Sequence, residues 1–368
     1  MSNNSSLRTE SLTTGDRDEV YLKLPIGFTI FELILQITIG LLGITGNVIV
    51  CATIIRRPKV LSAMSQYLLS LAFADLGVLL FILPLSVLNI QFSFEWVLGE
   101  VLCLYIIPCT EMFYSAAIWS ITTIAVERYA NIAWKKMRIG GRRSLKRSRL
   151  IIIAIWVMSF AMASIPVYIY KKYDSDSRRC WVSFSTSFRS GYLTIKAILQ
   201  YFLPLSIIAF CYQRIGKRVS ERSRLFQDET TSQSEVRESS SMVNANAILQ
   251  QTKRTQRILK PLVILFALTM LPLNIFDLVT AYWDGFFYQS YVKLLMSAVA
   301  ISIFTNSAAD PLVYCIVSKE FRTEVKSLLP GCVRNRLKRR RELNSTLKTK
   351  RSIRTTESAI LAQCESTL

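Results

Sequence analysis

Histidine is absent from all 368 residues. Its absence excludes serine–histidine triads, histidine-ligated zinc, histidine general bases and histidine pH switches. The eight cysteines are scattered with no Cys-x-x-Cys pair, which excludes a zinc knuckle and a thioredoxin-type redox motif. Acid is scarce: 25 Asp and Glu stand against 45 Lys and Arg, a formal charge of +20. Such a surplus invites a nucleic-acid reading. The basic residues, however, lie in runs flanking apolar stretches rather than on a polar domain, so no nucleic-acid partner is expected. No internal repeat is visible, which argues against a transporter built from inverted halves. No cationic start, apolar core and small-residue cleavage site follow one another near residue 1, so the first apolar helix is expected to act as the insertion signal.

What the chain has in abundance is apolar length. Hydrophobic residues make up 51% of it and the mean hydropathy is +0.33, high for a soluble protein and ordinary for one that crosses a membrane repeatedly. Seven stretches reach the about 20 residues that a spanning helix needs. They fall near 28–55, 67–90, 101–134, 150–170, 195–212, 258–283 and 294–317. The expected fold is an all-α seven-helix membrane bundle.

Residues 1–27 form a polar tail with glycosylation acceptors at Asn3 and Asn4. Residues 28–317 form the bundle, including a flexible loop within 213–257. Residues 318–332 read as a short amphipathic helix against lipid headgroups, with Phe321, Val325 and Leu328 on one side. Residues 333–368 read as a disordered tail.

Basic residues orient the bundle. One set of alternate loops, with the tail after Val317, holds 34 Lys and Arg against nine on the other side. The amino terminus is expected outside and the carboxyl terminus in the cytoplasm of a plasma-membrane protein.

The third stretch ends Glu127-Arg128-Tyr129. Alone, the two charges read as interfacial anchors that snorkel. They have company: Gly46-Asn47, Asp75 in mid-helix, Trp156, Pro204 with Tyr212, Phe266 with Pro272, then Asp310-Pro311 with Tyr314 and Phe321. In this order and spacing, residues 28–329 resemble the rhodopsin-like G protein-coupled receptors. Arg128 also lies twenty-five residues after Cys103, as in that family.

The resemblance implies roles. Cys103 would pair with Cys180. Glu127, Arg128, Tyr129, Tyr212, Tyr314, Asp310 and Pro311 would form the G protein-coupling switch. Ile118, Pro204, Phe266, Met270 and Pro272 would transmit the signal, Met270 standing where many members have tryptophan. Asp75, Asn306, Ser307 and Asp310 would form a core water network able to take a sodium ion. No other cofactor, metal or catalytic group is expected. Members often tie the motif arginine to an acid at the foot of the sixth helix; that position is Thr252, leaving Glu127 as the partner expected for Arg128.

The retinal lysine position is Phe304 and the aminergic aspartate position is Thr110, which strikes out both ligand classes. Trp96-Val-Leu-Gly99 and the run Gln200–Tyr212 resemble the galanin, allatostatin and neuropeptide Y-like group, so a peptide ligand is expected. A non-peptide ligand, or an ion- or proton-conducting protein using Asp75, Glu111, Arg128 and Asp310, remain the alternatives.

Helical spacing places Thr110, Glu111 and Tyr114 at one depth with Lys196, Gln200, Asn274 and Asp277. In the family that the chain resembles, the positions of Glu111 and Lys196 are neighbours, which implies that these two pair and leaves Asp277 for a cationic ligand group. Ser/Thr-rich segments at 220–241 and 344–358 suit phosphorylation and an arrestin partner. Cys332 is a palmitoylation candidate, and Ser366-Thr367-Leu368 fits a PDZ protein.

Overall fold

The computed structural model describes residues 25–56, 63–91, 95–133, 142–231, 261, 263–283, 285–286 and 291–317. Seven helices in it are long and apolar enough to cross a membrane: α1 Ile26–Ile55, α2 Ala63–Leu88, α3 Gly99–Ala130, α4 Leu145–Tyr170, α5 Thr186–Arg218, α6 Val263–Tyr282 and α7 Val292–Val313. Between α4 and α5 lies an antiparallel hairpin, β1 Lys171–Asp174 and β2 Arg179–Val182. The glycosylation candidates Asn3 and Asn4, the 318–332 helix, Cys332, the 333–368 tail and Thr252 lie outside the described residues, as does the side chain of Tyr314.

Burial runs opposite to a soluble protein. Ile30, Phe31, Ile34, Ile37 and Leu41 of α1 face outward, while Glu32, Gln36 and Asn47 of the same helix are buried. Outward apolar surface meets hydrocarbon, and inward polar groups must then find partners within the bundle. Asn47 Nδ2 donates to the Ser307 carbonyl at 3.0 Å, tying α1 to α7. Trp156 Nε1 donates to Ser70 Oγ at 3.1 Å, tying α4 to α2. Gly77 is required by close approach, since a Cβ there would lie 2.2 Å from the Phe113 ring of α3.

Four helices share one distortion. Widened π turns occupy Val78–Ile82, Leu102–Ile106, Phe160–Ser164 and Ile198–Phe202. Each stops two residues before a proline: Pro84, Pro108, Pro166 and Pro204. A proline ring clashes with the carbonyl four residues earlier, and one extra residue in the turn relieves that clash. The turns lie in the halves of α2, α3, α4 and α5 nearest the hairpin end.

Helix α5 is longer than its apolar run. It begins at Thr186, where Ser185 Oγ caps the Phe188 N–H, and helix continues to Thr231. Residues 213–231 are therefore helical, and the rest of the 213–257 segment lies outside the described residues. The polar residues Thr186–Gly191 and the charges after Tyr212 hid both extensions from a hydropathy reading.

Candidate functional site

The hairpin closes one end of the bundle. Its Cys180 is bonded to Cys103 at the start of α3, with Cα atoms 5.8 Å apart. Trp96 anchors its turn: the Trp96 N–H donates to the Arg178 carbonyl at 2.7 Å and Nε1 to the Gly99 carbonyl at 2.6 Å. Gly99 has φ +77°, a backbone that glycine adopts without strain. Asp174 holds the turn by accepting from Ser177 Oγ at 2.6 Å and from the Asp176 N–H at 3.1 Å. Those bonds, from Ser177 first, lower the Asp174 carboxyl below its ordinary range.

Beneath the hairpin, α3, α5 and α6 each contribute one charge. Lys196 Nζ lies 3.6 Å from Glu111 Oε2 and 3.5 Å from Asp277 Oδ2. Lys196 thus contacts Glu111, as the family resemblance implied. Asp277, however, is not left without a base: it shares Lys196, because a four-carbon lysine stem reaches two helices at once. Tyr114 lies against this cluster and against Asn274, whose Nδ2 donates to the Met270 carbonyl at 2.8 Å. Thr110 Oγ1 is turned back onto the Ile107 carbonyl at 2.7 Å. Gln200 is buried, its Oε1 without a hydrogen bond.

Lys171, the first residue of β1, was not singled out in the sequence. It is half-buried, and burial pushes its ammonium down to about 8, against the opposing pull of Glu111. The missed signal was its place: Lys171 shares a strand face with Tyr173, which pairs with Cys180.

One layer further along, Ile118, Phe266 and Met270 pack in a single cluster with Tyr114 and Tyr201. Pro204 is buried close by on α5, one helical turn after Tyr201, and Pro272 lies two residues beyond Met270. Tyr201, which was also missed, donates to the Ala267 carbonyl at 2.9 Å. Helices α5 and α6 are thus held at three levels: Thr194 Oγ1 to the Tyr282 hydroxyl at 2.8 Å, Lys196 to Asp277, and Tyr201 to Ala267.

In the core, Asp75 faces Asp310 and Ser307 across α2 and α7. Both carboxylates are buried, yet neither Asp75 oxygen nor Asp310 Oδ2 accepts a well-formed hydrogen bond. Asn306 Oδ1 accepts from Thr269 Oγ1 at 3.1 Å. Pro311 packs where a Cβ on Gly46 would sit, which fits α7 closely against α1.

At the far end, Glu127 does not bridge to Arg128. Its Oε2 lies 3.8 Å from Arg147 Nη2 of the helix that continues into α4, with buried Tyr67 of α2 beside both. Adjacent residues on a helix point about 100° apart, so Glu127 and Arg128 face different neighbours. Arg128 faces Tyr212 of α5; its Nε and the Tyr212 hydroxyl are buried without hydrogen bonds. Tyr129 packs edge-to-face on Phe210, ring centroids 6.1 Å apart.

Comparisons with known proteins agree with this geometry. The family profile for 7 transmembrane receptor (rhodopsin family) matches residues 46–314. The mouse (Mus musculus) neuromedin-U receptor 2 is 25% identical over 305 residues, covering 80% of this chain and 74% of its own. The rat (Rattus norvegicus) neuropeptide Y receptor type 4 is 26% identical over 306 residues, 79% of this chain and 76% of its own. The zebrafish (Danio rerio) melatonin receptor type 1B-B is 25% identical over 281 residues, 76% of each chain. With seven membrane-spanning helices, a disulfide-pinned hairpin and a profile match across most of its length, this chain belongs to the rhodopsin family of seven-transmembrane, G protein-coupled receptors.

Proposed function

We propose that the chain is a plasma-membrane receptor, amino terminus outside, that transmits the binding of an extracellular peptide to a heterotrimeric G protein. The observation that carries the peptide reading is Lys196 held between Glu111 and Asp277 beneath the hairpin. Charged groups inside a membrane bundle are expensive and mark function, and a peptide supplies the charged ends and side chains to engage them. Similarity to neuromedin-U and neuropeptide Y receptors supports the same reading. A small non-peptide ligand is the second reading, favoured by the similarity to a melatonin receptor.

A ligand charge that competes for Asp277 or Glu111 loosens the Lys196 link between α5 and α6. Tyr201 follows five residues along α5, so the same movement reaches its bond to Ala267 and the Ile118–Phe266–Met270 layer. The response is a shift toward a conformation with α5 and α6 apart at the Arg128 end. Asp75, Asp310, Ser307 and Asn306 offer the oxygen donors a sodium ion takes, and their unsatisfied carboxylate oxygens fit it. When bound, the ion supplies the positive charge that two facing carboxylates lack. Arrestin on phosphorylated Ser/Thr segments and a PDZ protein at Leu368 complete the proposed partners. The test is a peptide-library screen read as G protein activation. At least one active pool is expected; silence of every pool beside an active small-molecule library would select the second reading.

A further inference from the structure

We propose that Lys171, on the hairpin face turned toward the bundle, is a docking point for an anionic group of the ligand, such as a peptide carboxylate. The inference deepens the peptide reading and rests on it for the ligand's identity.

Strand alternation fixes which way Lys171 turns. Directly paired residues of an antiparallel hairpin share a face, and every second residue along a strand shares it too. Tyr173 pairs with Cys180 and Lys171 with Val182, so Lys171 lies on the same face as Cys180. Cys180 is bonded to Cys103 of α3, which makes that face the inward one. Exposure agrees: Lys171 and Tyr173 are half-buried, while Lys172 and Trp181 on the other face are exposed. Cys103 Sγ lies 3.5 Å from the Lys172 carbonyl oxygen, which seats this end of the strand on α3. The strand's base is held by the Ser183 N–H on the Tyr170 carbonyl at 2.8 Å, next to the mutually tilted rings of Tyr170, Phe184 and Phe188.

Charge then separates Lys171 from Lys196. The acid that acts on Lys171 is Glu111 on α3, which in turn contacts Lys196 on α5, the lysine that also holds Asp277 on α6. Lys196 contacts both carboxylates. Lys171 feels Glu111 but has no ion pair within 4 Å among the described residues, so it is a half-buried ammonium beside an acid that is already engaged. A buried charge without a partner is unfavourable, and an anion that arrives with its own hydrogen-bond acceptors relieves it. The burial that lowers the Lys171 ammonium to about 8 sets the pH dependence. The cation is present below that value and lost above it, so anion binding is stronger near neutral pH than in mild alkali.

The experiment uses the full-length receptor in phosphatidylcholine nanodiscs. Acylation of Lys171 and Lys172 by an acetyl succinimidyl ester is followed by mass spectrometry near neutral pH. N-acetylglycinate is the carboxylate probe and N-acetylglycinamide its uncharged control. The carboxylate at tens of millimolar, the range of a single charge-assisted contact, is expected to slow Lys171 acylation about threefold or more and leave Lys172 unchanged. Equal effects of the two probes, or no protection, would overturn the proposal. In a second arm, matched free-acid and amide peptide pools are compared for G protein activation by wild type and by Lys171→Gln at equal surface expression. Preference for free acids is expected in wild type and in Lys171→Arg, and its loss in Lys171→Gln. If no pool activates while the carboxylate still protects Lys171, the peptide reading fails and the anion site stands.

Discussion

The molecule carries ion pairs at both ends, and they are not alike. Under the hairpin, Lys196 is 16% exposed and touches two carboxylates on two other helices. At the opposite end, Glu127 is buried but its partner Arg147 is 58% exposed, and the single contact is 3.8 Å long. Water weakens the second pair more than the first, where Glu111 is 31% exposed but Lys196 and Asp277 only 16%. Removing one member of a buried pair strands a charge, at about 3–5 kcal/mol. An exposed pair is worth about 0–1 kcal/mol. The pair under the hairpin is thus the costlier of the two to break, and the Glu127–Arg147 pair the cheaper.

The largest effect is expected where charge is stranded. Lys196→Met leaves Glu111 and Asp277 without a cation and should cost about 3–5 kcal/mol, seen as lost surface delivery and a lower unfolding temperature. The charge swap Glu111→Lys with Lys196→Glu sharpens the point. Were the two residues an isolated pair, the swap would restore stability. Here the carboxylate that Lys196→Glu introduces would face Asp277, so recovery should require Asp277→Asn as well.

Next comes the disulfide. Cys180→Ser should release the hairpin, at a loss of the order of the about 2–5 kcal/mol seen for native disulfides, read as lost ligand response and surface expression. Tyr201→Phe removes one hydrogen bond between α5 and α6, about 0.5–1.5 kcal/mol, and should raise ligand-free G protein activation. The smallest effect is expected from Arg147→Gln. It releases Glu127 to Arg128 and should lower ligand-free activation by a fraction equivalent to about 0–1 kcal/mol, visible because a minor state of a few percent responds to it. Unchanged basal activity at equal surface expression would show that Arg147 holds nothing.

How these pairs were legible in the sequence follows from geometry. Spans were readable because hydrocarbon demands long apolar runs, and helical spacing fixed the common depth of Lys196 and Glu111, while their pairing came from the family resemblance. Sharing of Lys196 with Asp277 was not readable, since spacing gives the depth of a lysine but not the reach of its stem. Arg147 was missed because it lies twenty residues from Glu127 in sequence, and only the packing of α4 against α3 joins them. The hairpin was missed because its strands are four residues long and Lys171-Lys172-Tyr173-Asp174 carries no apolar alternation. Lys171 was therefore counted among the basic residues that orient the bundle, although its burial gives it a different part.

The account stands on the charge cluster of Glu111, Lys196 and Asp277 being what an extracellular ligand acts on. Its most direct test is the potency of an active library peptide on wild type and on Asp277→Asn and Glu111→Gln, read as G protein activation at matched surface expression. The account predicts that at least one of the two variants loses about thirtyfold or more in potency, equivalent to about 2 kcal/mol, the low end for removing one side of a buried, hydrogen-bonded charge pair. Wild-type potency in both variants would contradict it.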